Sequence, residues 1–312
     1  MSVAVWVAVA VAVWVGSVPI TQGLRINEKE LAKYVARQGL PLPAHLREPL
    51  LRRITTHERW ASSGAVTAIG LSAIAAVFLM GPNADAAAVI IVLSVPVGIG
   101  VGGVIAILVG RHQFNPTAPR VARTRATTLA DYVPARTRRT ARVVTAVAIV
   151  VALLAASTQL LMSGVLRGEG QGPWLLAQAL VTAVLTLVFL VIAEVLGRVA
   201  VARPQHAESR LELAWDDVCR SESLRALHHT PIVLGVLASL ATTVLRVASP
   251  AGLVAGPVGL ITFVIMVVLS LGATALALWS AWPRGHAGRA SHVRQRLWAG
   301  EEFITEARER TC

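Results

Sequence analysis

An all-α, polytopic transmembrane bundle of about seven spans is the fold class this sequence predicts, and three observations carry the prediction. Of the 312 residues, 55% are hydrophobic and only 15% charged, an apolar share above that of ordinary soluble domains. Apolar runs of span length recur, each near the roughly 20 residues that a helix rising about 1.5 Å per residue needs to cross about 30 Å of hydrocarbon. Finally, the seven runs are followed in order by 8, 0, 8, 1, 5, 1 and 6 Lys or Arg, the sixth count being Arg246 at that run's outer end. Such alternation follows from the positive-inside rule, because cytoplasmic loops retain cations and translocated loops shed them.

The predicted spans are 2–20, 62–80, 86–109, 143–163, 174–197, 231–248 and 253–281. They read as one helix followed by three hairpins, with the N-terminus outside and the C-terminus cytoplasmic. The cytoplasmic segments are then 21–61, 110–142, 198–230 and 282–312, all within a single integral membrane domain. A signal peptide cut near Val15-Gly16-Ser17 is the competing reading of the first run. It would export the eight cations of 21–61, against the rule, so a retained anchor is expected.

Each hairpin turns outside on Gly and Pro: Gly81-Pro82-Asn83, then Gly168 to Pro173, then Ser249-Pro250 through Gly256-Pro257. The loops after two spans share a faint pattern, Leu129-Ala130-Asp131-Tyr132-Val133 against Leu213-Ala214-Trp215-Asp216-Asp217-Val218. Hairpin duplication of the kind that recurs in transporters is one explanation, and the common demands of any hairpin are the other.

The cytoplasmic segments are expected to be helical. Asn27 and Glu30 have capping-box spacing ahead of Leu31, Tyr34 and Val35, and Gly39 and Pro41 end the stripe. Thr55 to Glu58 repeats that signature before the second span. Arg210–Leu227 and Val293–Ala307 are further amphipathic stretches, expected to lie along the headgroups or cap the bundle. Trp174 outside, and Trp279 and Trp282 inside, fall where an aromatic belt belongs.

The net charge of +12 is a consequence of topology, since 27 of 29 cations and 14 of 17 acids fall in the cytoplasmic segments. Attraction to anionic lipid headgroups is the secondary expectation. No nucleic-acid partner is expected, because the basic loops lack interleaved aromatics for base stacking. Cys219 and Cys312 both fall on the cytoplasmic side, and a reduced pair is expected.

No pattern rises to a catalytic, cofactor or metal motif, so no enzyme is predicted. Gly98, Gly100 and Gly103 have dinucleotide-fingerprint spacing, but within an uncharged run Gly98 and Gly102 instead suit close helix packing. The residues from 206 to 229, with His206, Glu208, Asp216, Asp217, Cys219, His228 and His229, include metal-capable ligands without paired zinc spacing, and are read as a solvated loop.

The candidate pathway or coupling residues are Glu194, Arg198, Gln159, Gln178, Thr182, Thr186, Thr243 and Arg246. Glu194 is the one acid inside a predicted span, and Arg198 four residues on is its expected ion-pair partner. Gln178, Thr182 and Thr186 share a face of the fifth span, and Ser239, Thr242, Thr243 and Arg246 share one of the sixth. Gln159 and Gln178 lie at equal depth, suited to an interhelical hydrogen bond. Arg246 is expected to snorkel outward toward Glu169 or Asp85.

Arg-over-Lys usage with abundant Ala and Val points to a GC-rich genome and a bacterial inner membrane. The first functional expectation is a transport-related membrane component. A scaffold or regulatory subunit docking a cytoplasmic protein is the second, with self-association as a homo-oligomer also open, and an integral membrane enzyme comes third.

Overall fold

A computed structural model describes residues 28–79, 84–109, 126–163, 172–248, 256–281 and 292–300. The predicted first span, 2–20, and the turn at 81–83 lie outside these residues, as do 110–125 after the third span and most of the segment after the seventh. Among the described residues the fold is all-α: α1 Glu28–Gln38, α2 Ala44–Leu79, α3 Ala84–Val109, α4 Leu129–Tyr132, α5 Ala135–Ser163, α6 Gly172–Ala202, α7 Arg210–Ala248, α8 Gly256–Ala281 and α9 His292–Leu297.

Five of these helices are long and apolar enough to cross a membrane: α3, α5, α6, α7 and α8. The predicted 62–80 run falls on the far half of α2, which packs along α3. Side chains on the outside of the bundle are large and apolar, Val150 and Leu153 on α5 and Val264 and Val268 on α8 among them. In water this surface would be far larger than a soluble monomer tolerates; in lipid it is the expected exterior.

α2 and α3 approach at backbone distance. A Cβ on Gly64 would overlap the Gly98 carbonyl oxygen, and one on Gly102 the Trp60 carbonyl oxygen. The Gly98/Gly102 spacing therefore serves helix packing, as small residues do in membranes. α3 runs unbroken through Pro96.

The helix start expected at Thr55 needs correction. α2 is continuous from Ala44, and Thr55 and Thr56 hydrogen-bond back to the Leu51 and Arg52 carbonyls inside it. Likewise, 210–230 and the predicted sixth span form one helix, α7, which continues through Pro231. At 39 residues α7 is about 58 Å long, roughly twice the hydrocarbon thickness, so its first half stands beyond the bundle.

Around that first half a cap assembles. Leu31, Leu50, Leu129, Tyr132, Val133, Leu211, Trp215, Val218, Leu224 and Val293 form its buried core, drawn from α1, α2, α4, α7 and α9. Local chemistry explains the short pieces. Gly39, with φ +66°, ends α1, and Pro41 follows it. Thr128 and Asp131 form a reciprocal capping box on the single turn of α4. α9 stops at Leu297, and Gly300 takes φ +83° just beyond.

Candidate functional site

Two polar features stand out: a buried ionic network in the cap, and a seam of polar side chains inside the bundle. The cap network starts from α7, where Trp215, Asp216 and Asp217 follow one another. Trp215 faces the core, stacks on Tyr34 with ring centroids 6.2 Å apart, and donates its Nε1–H to the Pro41 carbonyl at 3.0 Å. Because Asp216 and Asp217 adjoin it on the helix, both carboxylates are carried below the surface.

Each carboxylate meets its own set of donors. Arg53 from α2 pairs with Asp216 Oδ1 at 2.5 Å, and Arg220, one turn along α7, lies 3.5 Å from Oδ2. Asp217 Oδ1 accepts from Tyr132 Oη at 2.9 Å and from Gln205 Nε2 at 2.8 Å, while Oδ2 accepts from Trp298 Nε1 at 3.0 Å. Gln205 bridges the pair, since its Nε2 also donates to Asp216 Oδ2 at 2.6 Å. Burial opposes ionisation of Asp216, but Arg53, Arg220 and the Gln205 hydrogen bond outweigh it and hold the carboxyl below its usual range.

Nearby, Tyr34 Oη and Gln38 Nε2 donate to the two oxygens of Glu222, at 2.7 and 3.0 Å. Here burial wins and pushes the Glu222 carboxyl up, with the Tyr34 hydrogen bond opposing it. Burial also drives the Cys219 thiol to about 12. Arg220 and Arg203 tie the cap to the bundle by donating to the terminal carbonyls of α6 and to Ile107 of α3, respectively, groups that helix ends leave unsatisfied.

The reading of 206–229 as a solvated loop is thereby corrected. Asp216, Asp217, Cys219 and His228 are buried on a helix, and the carboxylates are engaged by Arg, Gln, Tyr and Trp donors. Among the described residues no group of three or more His, Cys, Asp or Glu is placed to hold a metal. His228 donates Nδ1–H to the Leu224 carbonyl at 2.8 Å, and its Nε2 is buried with no hydrogen-bond partner among the described residues. The two faintly similar loop motifs meet in this cap, through Tyr132 with Asp217 and through Ser221 Oγ, which donates to the Tyr132 carbonyl at 2.8 Å.

Glu194 is also corrected. Its carboxylate accepts from Arg142 of α5, at 2.6 Å from Nη2 and 3.1 Å from Nε, and Arg198 is exposed one turn away. The i,i+4 rule fails here because α5 packs against this face of α6 and brings a guanidinium from a neighbouring helix.

The bundle seam involves α6, α7 and α8. Gly235 of α7 lies against Thr186 of α6, whose Cγ2 would be 3.2 Å from a Cβ at that glycine. The two helices run antiparallel, so one turn away from the cap brings Thr182 level with Ser239, and a second turn brings Gln178 level with Thr243. All six positions except the glycine are polar and buried. Thr182, Thr186, Ser239 and Thr243 each donate to the carbonyl four residues earlier in their own helix, so each hydroxyl oxygen keeps acceptor capacity. Thr243 also meets Ser270 of α8 at 3.0 Å.

Gln178 Oε1 is buried without a hydrogen-bond partner among the described residues, and the expected bond between it and Gln159 is therefore not what satisfies that oxygen. Gln159 itself is half-buried on α5. The side chain of Arg246 lies outside the described residues. The cap network was missed from sequence, although Trp-Asp-Asp on the apolar stripe of an amphipathic helix was its signal. No family model, curated protein or solved structure matches this chain.

Proposed function

We propose that this chain is a transport-related component of a bacterial plasma membrane, with seven spans, an external N-terminus and the cap on the cytoplasmic side. The observation supporting transport is the seam: five buried polar side chains, Gln178, Thr182, Thr186, Ser239 and Thr243, on facing stripes of α6 and α7 within the bundle. With the four hydroxyl protons held by their own helices and Gln178 Oε1 buried without a hydrogen-bond partner among the described residues, the seam's spare capacity is mainly acceptor oxygen, which suits a solute or ion that donates hydrogen bonds or carries positive charge.

The test is flux. Proteoliposomes of the full chain are challenged with a panel of cations, amines and neutral polyols under an imposed membrane potential, beside liposomes lacking protein. Flux above the empty liposomes, reduced by Thr186→Val with an unchanged melting temperature, supports the reading. No flux for any member of the panel, or equal flux in the variant, overturns it.

The cap favours a second reading, a scaffold or regulatory subunit. Its buried ionic network clamps α1, α2, α4, α7 and α9 into one rigid surface, which is what a docking platform requires. Purification from native membranes in mild detergent separates the two: a stoichiometric soluble companion, lost when Arg53→Met loosens the cap, would assign the chain to this second class.

A further inference from the structure

We propose that the cap-side ends of α5 and α8 form a binding site for the headgroup of an anionic phospholipid. The argument begins with the lipid-facing stripe of α5. Val143, Ala146, Val150 and Leu153 are exposed in helical register, and Arg139, one turn before Val143, continues the same stripe toward the cap. An arginine at the end of a lipid-facing stripe stands at headgroup depth.

α8 supplies the other wall. Its exposed stripe, with Val264, Val268 and Leu271, ends at Leu278 and Trp279. The Arg136 guanidinium lies over the Trp279 ring, 3.3 Å from its centroid. The indole therefore holds a cation at the membrane surface in the neighbouring helix's first turn.

Four arginines cluster at this place. Arg136, Arg138, Arg139 and Arg142 fall within two turns of α5, and of these Arg142 meets Glu194. The nearest acid in sequence, Asp131, is buried, accepts hydrogen bonds from Thr128 and lies 3.9 Å from Arg296. Arg139 is exposed, with no ion pair among the described residues. These cations sit at the start of a 29-residue helix, whose dipole adds to their field. Guanidinium forks match phosphate oxygens bidentately, and a diacyl lipid would lay its chains along the Val143 to Leu153 stripe while its phosphate meets Arg139, with the Arg136 guanidinium, whose Nε and Nη2 are buried, adding positive charge behind it.

The test uses the full chain in mild detergent, titrated with short-chain phosphatidylglycerol or phosphatidylcholine, with bound lipid counted by native mass spectrometry. Phosphatidylglycerol is expected to be retained and phosphatidylcholine lost. Arg136→Gln and Arg139→Gln should each weaken retention about fivefold, and together about thirtyfold, from about 1 kcal/mol per surface cation. Arg47→Gln with Arg52→Gln, an equal charge change on exposed residues of α2, should leave it unchanged. Unaltered Cys219 labelling would certify that the cap remains folded in each variant.

Equal retention of both lipids by the native protein would overturn the site. So would equal losses in the two double variants, which would reduce the effect to net charge. Displacement of the lipid by millimolar glycerol 3-phosphate would assign the arginines to a soluble phosphate and overturn the lipid assignment.

Discussion

Replacing Arg53 by methionine would leave the Asp216 carboxylate buried, with Arg220 at 3.5 Å and Gln205 at 2.6 Å as its remaining donors. Breaking a buried ion pair from one side costs about 3 to 5 kcal/mol. The Arg53 side chain is 21% exposed and Arg220 compensates in part, so we expect about 2.5 kcal/mol of cap stability to be lost.

Cys219 reports the loss, because its buried thiol, pushed to about 12, reacts with a maleimide only when the cap opens. In a Cys312→Ser background, about 2.5 kcal/mol corresponds to labelling about sixtyfold faster. Arg53 lowers the Cys219 thiol pKa, so removing it slows the chemistry of an unchanged cap, and acceleration can come only from opening. Asp216→Asn should also accelerate labelling. The double variant should fall short of the product of the two single effects, by a coupling of about 1 to 3 kcal/mol. Labelling of Arg53→Met at the native rate, or strictly multiplicative effects, would refute the network as the clamp of the cap.

Three further outcomes follow from the same geometry. Gly98→Val should prevent close packing of α2 on α3, since its side chain would collide with the Gly64 backbone; a loss of more than about 3 kcal/mol, read as loss of folded protein in detergent, is expected. Glu194→Gln and Arg142→Gln should alter any flux alike, whereas Arg198→Gln should not; an Arg198 effect matching that of Glu194 would restore the intrahelical pair.

The pH dependence has two opposed parts. Glu222, raised by burial in the folded cap, binds more protons folded than unfolded, so its contribution falls as pH rises above the ordinary glutamate value of about 4.3. Glu222→Gln should therefore raise the melting temperature at pH 8 more than at pH 4. Asp216, held low, contributes above the ordinary aspartate value of about 3.9, and that contribution is lost as pH falls through its folded pKa. A Glu222→Gln melting temperature that changes equally at both pH values would refute burial as the cause of the first part.

Hydropathy and spacing alone carried the membrane class, the positions of most apolar helices, the end of α1 at Gly39, and the packing use of Gly98 and Gly102. Each depends on residues within a few turns of one another, where 3.6-residue periodicity and span length act directly. Helix continuity through Thr55 and Pro231 did not follow, because a capping signature or a proline sets a local preference that packing against α3 and the cap overrides.

Partner choice was the other thing only the tertiary structure decided. Arg53 meets Asp216 across 163 positions and Arg142 meets Glu194 across 52. Both pairings arise from which helix faces are buried against each other, and a nearby candidate such as Arg198 loses to a distant guanidinium that the bundle brings closer. The sequence by itself determined that this chain's apolar surface is large enough to require a bilayer, since burial of that surface is a sum over residues. Where its buried charges and acceptor oxygens lie relative to one another is a property of packing, and packing alone placed the ionic cap at one end of the bundle and the polar seam inside it.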